Sequence, residues 1–154
     1  MWQQSDTRVL MCETVPNLLS TPKAINMSAT SSPALSYNNR TFSSKSNTSN
    51  GEVGTSTLFH YHQEPNGSIV WAEYSGGMIA KGFLIATVQP GGLLDARYQH
   101  VNISGVLMTG RCLSTPERLP DGRLRLHEQW QWTSGDQSSG TSVVEEVMPG
   151  EMAR

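Results

Sequence analysis

The stretch Arg123-Leu124-Arg125-Leu126-His127-Glu128-Gln129-Trp130-Gln131-Trp132-Thr133, entered through Asp121-Gly122, decides the fold. Leu124, Leu126, Glu128, Trp130 and Trp132 fall on one face, and Arg123, Arg125, His127, Gln129 and Gln131 on the other. Period two is the mark of a β-strand, and the Leu/Trp face points to the core. The Asp-Gly pair before it suits a tight hairpin, because its residues tolerate positive φ. The same punctuation recurs at Asn66-Gly67, Gly76-Gly77, Gly91-Gly92 and Ser104-Gly105, with runs rich in Val, Ile, Leu, Tyr and Trp between the turns.

Working outward, the strand candidates are residues 41–48, 55–63, 68–74, 78–88, 93–102, 106–114, 123–133 and 142–148. Short strands separated by regular turns predict an all-β fold, an up-and-down antiparallel barrel of about eight strands, lipocalin-like and closed or nearly so. Eight strands make an interior that side chains fill or that holds one small ligand. The connection Ser114-Thr115-Pro116-Glu117-Arg118-Leu119-Pro120 reads as a rim loop, either a lid or a plain surface link. Residues 1–40 are rich in Ser, Thr, Asn and Pro, and Pro16, Pro22 and Pro33 interrupt any regular element. They read as a disordered extension, with the barrel at 41–148 and a flexible tail at 149–154.

Composition narrows the function. The 154 residues carry a net charge of −2 with both signs interspersed, which argues against nucleic acid as a partner. Two distant cysteines, Cys12 and Cys112, make neither a disulfide framework nor a structural zinc site. No apolar run is long enough for a membrane-spanning helix, and no secretory signal pattern is present. The expectation is a soluble, cytoplasmic protein. Nothing in the pattern sets its oligomeric state.

The chemistry sits in the strands. Glu128 lies in an apolar row, and an unpaired buried carboxylate is costly, so it needs a partner, a proton or a wet cavity. It is therefore a structural hydrogen-bonded group, a ligand-binding or proton-transferring group, or, if the register slips, an outer residue. In 93–102, Leu94, Ala96, Tyr98 and His100 share a face, which makes Tyr98 and His100 interior polar groups. In 68–74, Ile69, Trp71 and Glu73 share one face and Val70, Ala72 and Tyr74 the other; if Trp71 points inward, Glu73 does too. The candidate catalytic residues are thus Glu128, His100 and Tyr98, and the candidate ligand-binding residues Trp71, Glu73, Trp130 and Trp132. Apolar walls with a few convergent polar groups are how small-molecule pockets are built. His60 and His62 share a face and would need Glu73 or His100 as a third metal ligand; no metal is assigned. One carboxylate of Glu145-Glu146 faces each side of the last strand. With no nucleophile elbow, phosphate loop or dinucleotide fingerprint, no cofactor is expected.

The residues Val70-Trp71-Ala72-Glu73-Tyr74-Ser75-Gly76-Gly77, Arg97-Tyr98-Gln99-His100, Met108-Thr109-Gly110, Ser114-Thr115-Pro116-Glu117, Leu119-Pro120-Asp121-Gly122 through Glu128, and Trp130-Gln131-Trp132 carry a resemblance. Over about residues 37–148 the chain resembles a family of small proteins of unestablished function whose members often bear the label N-acetylglutamate synthase. That label implies an acetyl-CoA-dependent acetyltransferase. An acetyltransferase of the usual type places a Gln/Arg-x-x-Gly-x-Gly/Ala loop at a helix N-terminus, whereas Gln89-Pro90-Gly91-Gly92-Leu93-Leu94 lacks the last small residue and reads as a hairpin turn. By fold analogy alone, lipocalin-like barrels bind small hydrophobic ligands, and some small barrels act as isomerases or cyclases by positioning a flexible substrate. The expected partner is accordingly a small-molecule ligand or substrate. A filled barrel serving structure or interaction is the remaining reading.

Overall fold

The computed structural model describes residues 34–152. Eight strands run in chain order: β1 (Arg40–Asn47), β2 (Leu58–Gln63), β3 (Ile69–Gly76), β4 (Ile79–Val88), β5 (Leu94–Asn102), β6 (Leu107–Arg118), β7 (Leu124–Trp132) and β8 (Ser139–Glu146). Each pairs antiparallel with the next, and β8 pairs back onto β1, so the sheet is a closed up-and-down barrel. The alternation in β7 is realised: Leu124, Leu126, Trp130 and Trp132 are buried, and Arg125, His127, Gln129 and Gln131 face out. At the β6–β7 turn, Gly122 takes φ 89°, a conformation a Cβ would oppose. There the Asp121 carboxylate accepts the Arg123 amide at 3.0 Å.

Two boundaries differ from the sequence reading. The segment 114–120 is not a rim loop. β6 continues through Arg118, with Pro116 opposite Leu126. Because β6 pairs with β5 only as far as Ser114, the missing N–H of Pro116 costs no β5–β6 hydrogen bond. Residues 34–40, expected in the extension, belong with the barrel. Tyr37 is fully buried, donates its hydroxyl to the Gly92 carbonyl and its amide to Gln63 Oε1 at 2.8 Å, and Leu35 packs on the same core. The rest of that expected extension, residues 1–33, lies outside the described residues. Of the expected tail, 149–152 form a turn in which the Glu151 amide donates to the Met148 carbonyl.

Up-and-down topology gives the barrel two unlike ends. At one, the connections 64–68, 89–93 and 119–123 meet the Tyr37 segment, and Phe42, Leu94, Leu124 and Leu126 fill the interior. At the other lie the connections after β1, β3, β5 and β7, the longest of them being 48–57.

A candidate ligand cavity under the 48–57 loop

An open cavity of about 50 Å³ lies inside the barrel toward the second end. Its lining combines Glu128, Trp130 and Trp132 of β7, Tyr98 and His100 of β5, Tyr74 of β3, Ser142 of β8, and Glu52 and Val53 of the 48–57 loop. The space is narrow: Trp132 makes edge contacts with Tyr98 and His100 at centroid distances of 5.7 and 5.6 Å, and lies 5.5 Å from Trp130.

Glu128 sits between two serines that the ladder places directly opposite it, Ser114 on β6 and Ser142 on β8. Both hydroxyls donate to it, Ser142 at 2.7 Å and Ser114 at 3.3 Å. Burial raises its carboxyl above the ordinary 4.5, and the two serine bonds oppose that rise. It is half-buried and faces the cavity. Burial also pushes the Tyr98 and Cys112 groups up, with the Glu128 charge adding to both. The Cys112 thiol therefore stays protonated near neutral pH and is no nucleophile.

His100 is fully enclosed and links three elements. Its Nδ1 lies 3.0 Å from the Tyr74 hydroxyl and its Nε2 2.6 Å from Glu52 Oε2. The tautomer with its hydrogen on Nε2 satisfies both contacts. Asn102 Nδ2 donates to the other Glu52 oxygen at 2.9 Å. The tryptophans hold the same loop and the strand leading into it: Trp132 Nε1 donates to the Asn50 carbonyl at 3.2 Å and Trp130 Nε1 to Asn47 Oδ1 at 3.1 Å.

Three glycines inside the strands give the aromatic rings their room. Gly82 lies opposite Tyr74, Gly110 opposite Tyr98 and Gly140 opposite Trp130. A Cβ on any of them would come within 2.4 Å of the ring across the ladder. In each pair a ring lies over bare backbone where a second side chain would otherwise stand.

Five of the seven sequence-predicted site residues meet here: Glu128, Tyr98, His100, Trp130 and Trp132. Trp71 and Glu73 do not. β3 turns Val70, Ala72 and Tyr74 inward, so Trp71 is 42% exposed and stacks on His62. Glu73 pairs with Lys81 on the surface at 2.6 Å. Both faces of that run carry apolar residues, and Gly82 across the ladder leaves space for the inward Tyr74. His60 contacts Thr41 on the outer surface, while His100 lies inside, so the two do not converge. Among the described residues, no three His, Cys, Asp or Glu side chains come together as a metal site would require. Glu145 and Glu146 are both committed to arginines, Glu145 to Arg123 and Arg125 and Glu146 to Arg40. Glu52 was missed. It sits in a connection with no period, and the only sequence signal is its place between two strands whose C- and N-terminal ends frame the mouth.

A model of the avidin-like protein family matches residues 35–147, from the Tyr37 segment to the end of β8. This chain belongs to the avidin-like family. Comparison with curated proteins and with solved structures gave no match. The avidin-like match covers the whole barrel, and barrels of this kind typically bind small molecules. No helix among the described residues is long and apolar enough to cross a membrane.

Proposed function

We propose that the protein is a small-molecule-binding barrel whose site is the cavity between Glu128, Tyr98, His100, Trp130 and Trp132. One observation carries this reading. Glu128, a carboxylate in the middle of an apolar strand face, opens onto empty space instead of being sealed by a basic side chain. Beyond the two serine hydroxyls, its oxygens meet no other donor among the described residues. Two serine hydroxyls leave it with capacity for a guest. Native mass spectrometry of protein purified from its own host tests the reading. A retained small molecule, lost on denaturation and reduced in Trp132→Ala, is expected. A bare mass, together with no change in tryptophan emission across a broad ligand collection, overturns it.

A second reading, an isomerase or cyclase that positions a flexible substrate, has one observation in its favour. Burial raises the Glu128 carboxyl above the ordinary 4.5, and this proton-exchanging group lines the cavity together with Tyr98 and His100. Glu128→Gln would then abolish turnover while leaving binding largely intact, and unchanged turnover would remove Glu128 from that role. An acetyltransferase gains no support from the barrel. The residues nearest to a cofactor loop form a single turn, Pro90–Gly92, that leads directly into β5.

A further inference from the structure

The polar chemistry of the cavity is one-sided. The indole N–H groups of Trp130 and Trp132 are spent on Asn47 and the Asn50 carbonyl. The Ser114 and Ser142 hydroxyls are spent on Glu128, and Asn102 Nδ2 on Glu52. What faces the space is acceptor oxygen and aromatic surface. Each Glu128 oxygen accepts one hydrogen bond and has a second lone pair left. Glu52 brings a second carboxylate to the same lining, its oxygens held by His100 Nε2 and Asn102 Nδ2, and no lysine or arginine among the described residues borders the cavity. An anionic guest would meet two carboxylates. A neutral guest rich in acceptors would find the Tyr98 hydroxyl and little else. A cation bearing N–H groups would meet both an opposite charge and π faces, and each favours it in a desolvated site.

Building on the small-molecule reading above, we infer that the cavity takes a small organic cation, an ammonium or amidinium group, with its N–H donors on Glu128 and its carbon skeleton against Trp130, Trp132 and Tyr98. The narrowness set by the three rings favours a compact guest.

Calorimetry with methylammonium, isobutylammonium and benzylammonium, each beside its matching alcohol and carboxylate, tests the inference on the wild-type protein. At least one ammonium is expected to bind tenfold or more tightly than its alcohol, with the carboxylate weaker still. Glu128→Gln should erase the tenfold preference; the wild-type comparison stands without it should that variant fail to fold. Equal or tighter binding of an alcohol or a carboxylate overturns the cation inference while leaving a ligand-binding barrel in place. Silence from all three ammonium ions overturns it as well. The retained-ligand mass measurement, which does not depend on charge, then decides the broader reading separately.

Discussion

Tyr98 lies across Gly110. The two face each other in the β5–β6 ladder, and a Cβ built on Gly110 would sit 2.2 Å from both Cζ and the hydroxyl oxygen of the tyrosine. Gly110→Ala must push that ring back toward Trp132 and the cavity. Overpacking of this kind costs about 1–3 kcal/mol, readable by chemical denaturation. Adding Tyr98→Ala should return only part of the loss, because the new methyl also lies 2.7 Å from the Gln131 carbonyl. An unchanged midpoint in the single variant would show that the ring does not rest there.

The raised carboxyl of Glu128 has a definite sign in stability. Its folded-state pKa lies above the ordinary 4.5, so between those two values the folded protein holds more protons than the unfolded chain. Stability from this group is fully present below pH about 4.5 and is lost as pH rises through the folded value. Glu128→Gln keeps the shape and removes the titration. Its stability relative to wild type should therefore improve as pH rises from about 4.5 through the folded-state value and level off above it, measured as urea midpoints from pH 4 to 8. A pH-independent difference between the two proteins would contradict the buried placement.

Tryptophan emission separates the two faces of the barrel. Trp71 is 42% exposed while Trp130 and Trp132 are 7% and 5% exposed. Trp71→Phe should remove most of the iodide quenching among these three and leave any ligand response in place. Trp132→Phe should do the reverse. A ligand response that vanishes with Trp71 would move the site to the outer surface.

Glu52 ties the 48–57 loop to His100 and Asn102. Its replacement by Ala leaves the enclosed imidazole and the Asn102 amide short of a partner, a cost of about 1–3 kcal/mol. The change should concentrate locally, as faster amide hydrogen exchange in residues 48–57 with β5 and β7 still protected. Uniformly faster exchange over the whole barrel would mean that the loop is not a separate opening unit.

How much of this was legible depends on where each residue sits. In β7, polar and apolar residues alternate cleanly, so the inward row with Glu128 in it could be read directly. In β3 both faces carry apolar residues, and Trp71 ended outside because the in-strand Gly82 opposite accommodates Tyr74 within. Hydrophobicity cannot show that choice; side-chain volume across neighbouring strands makes it. Gly82, Gly110 and Gly140 carry no turn signal, and a lone glycine in a strand only hints at a close approach. Tyr37 is a single aromatic in a polar segment, and Glu52 lies in a loop. Their places follow from closure of the barrel, which brings distant residues together and leaves no local trace.

That closure also orders the assembly of the molecule in time. Its last seam joins β1 to β8, and the Arg40–Glu146 pair at its edge spans 106 positions of sequence. Without β8, the other seven strands would form a sheet with two open edges, each a template for stray strand pairing. Contacts this remote also close slowly, on the millisecond-to-second scale typical of β-rich domains. The cavity wall that Ser142 contributes comes with that last strand. During synthesis, therefore, the completed cavity and protection against aggregation arrive in the same step.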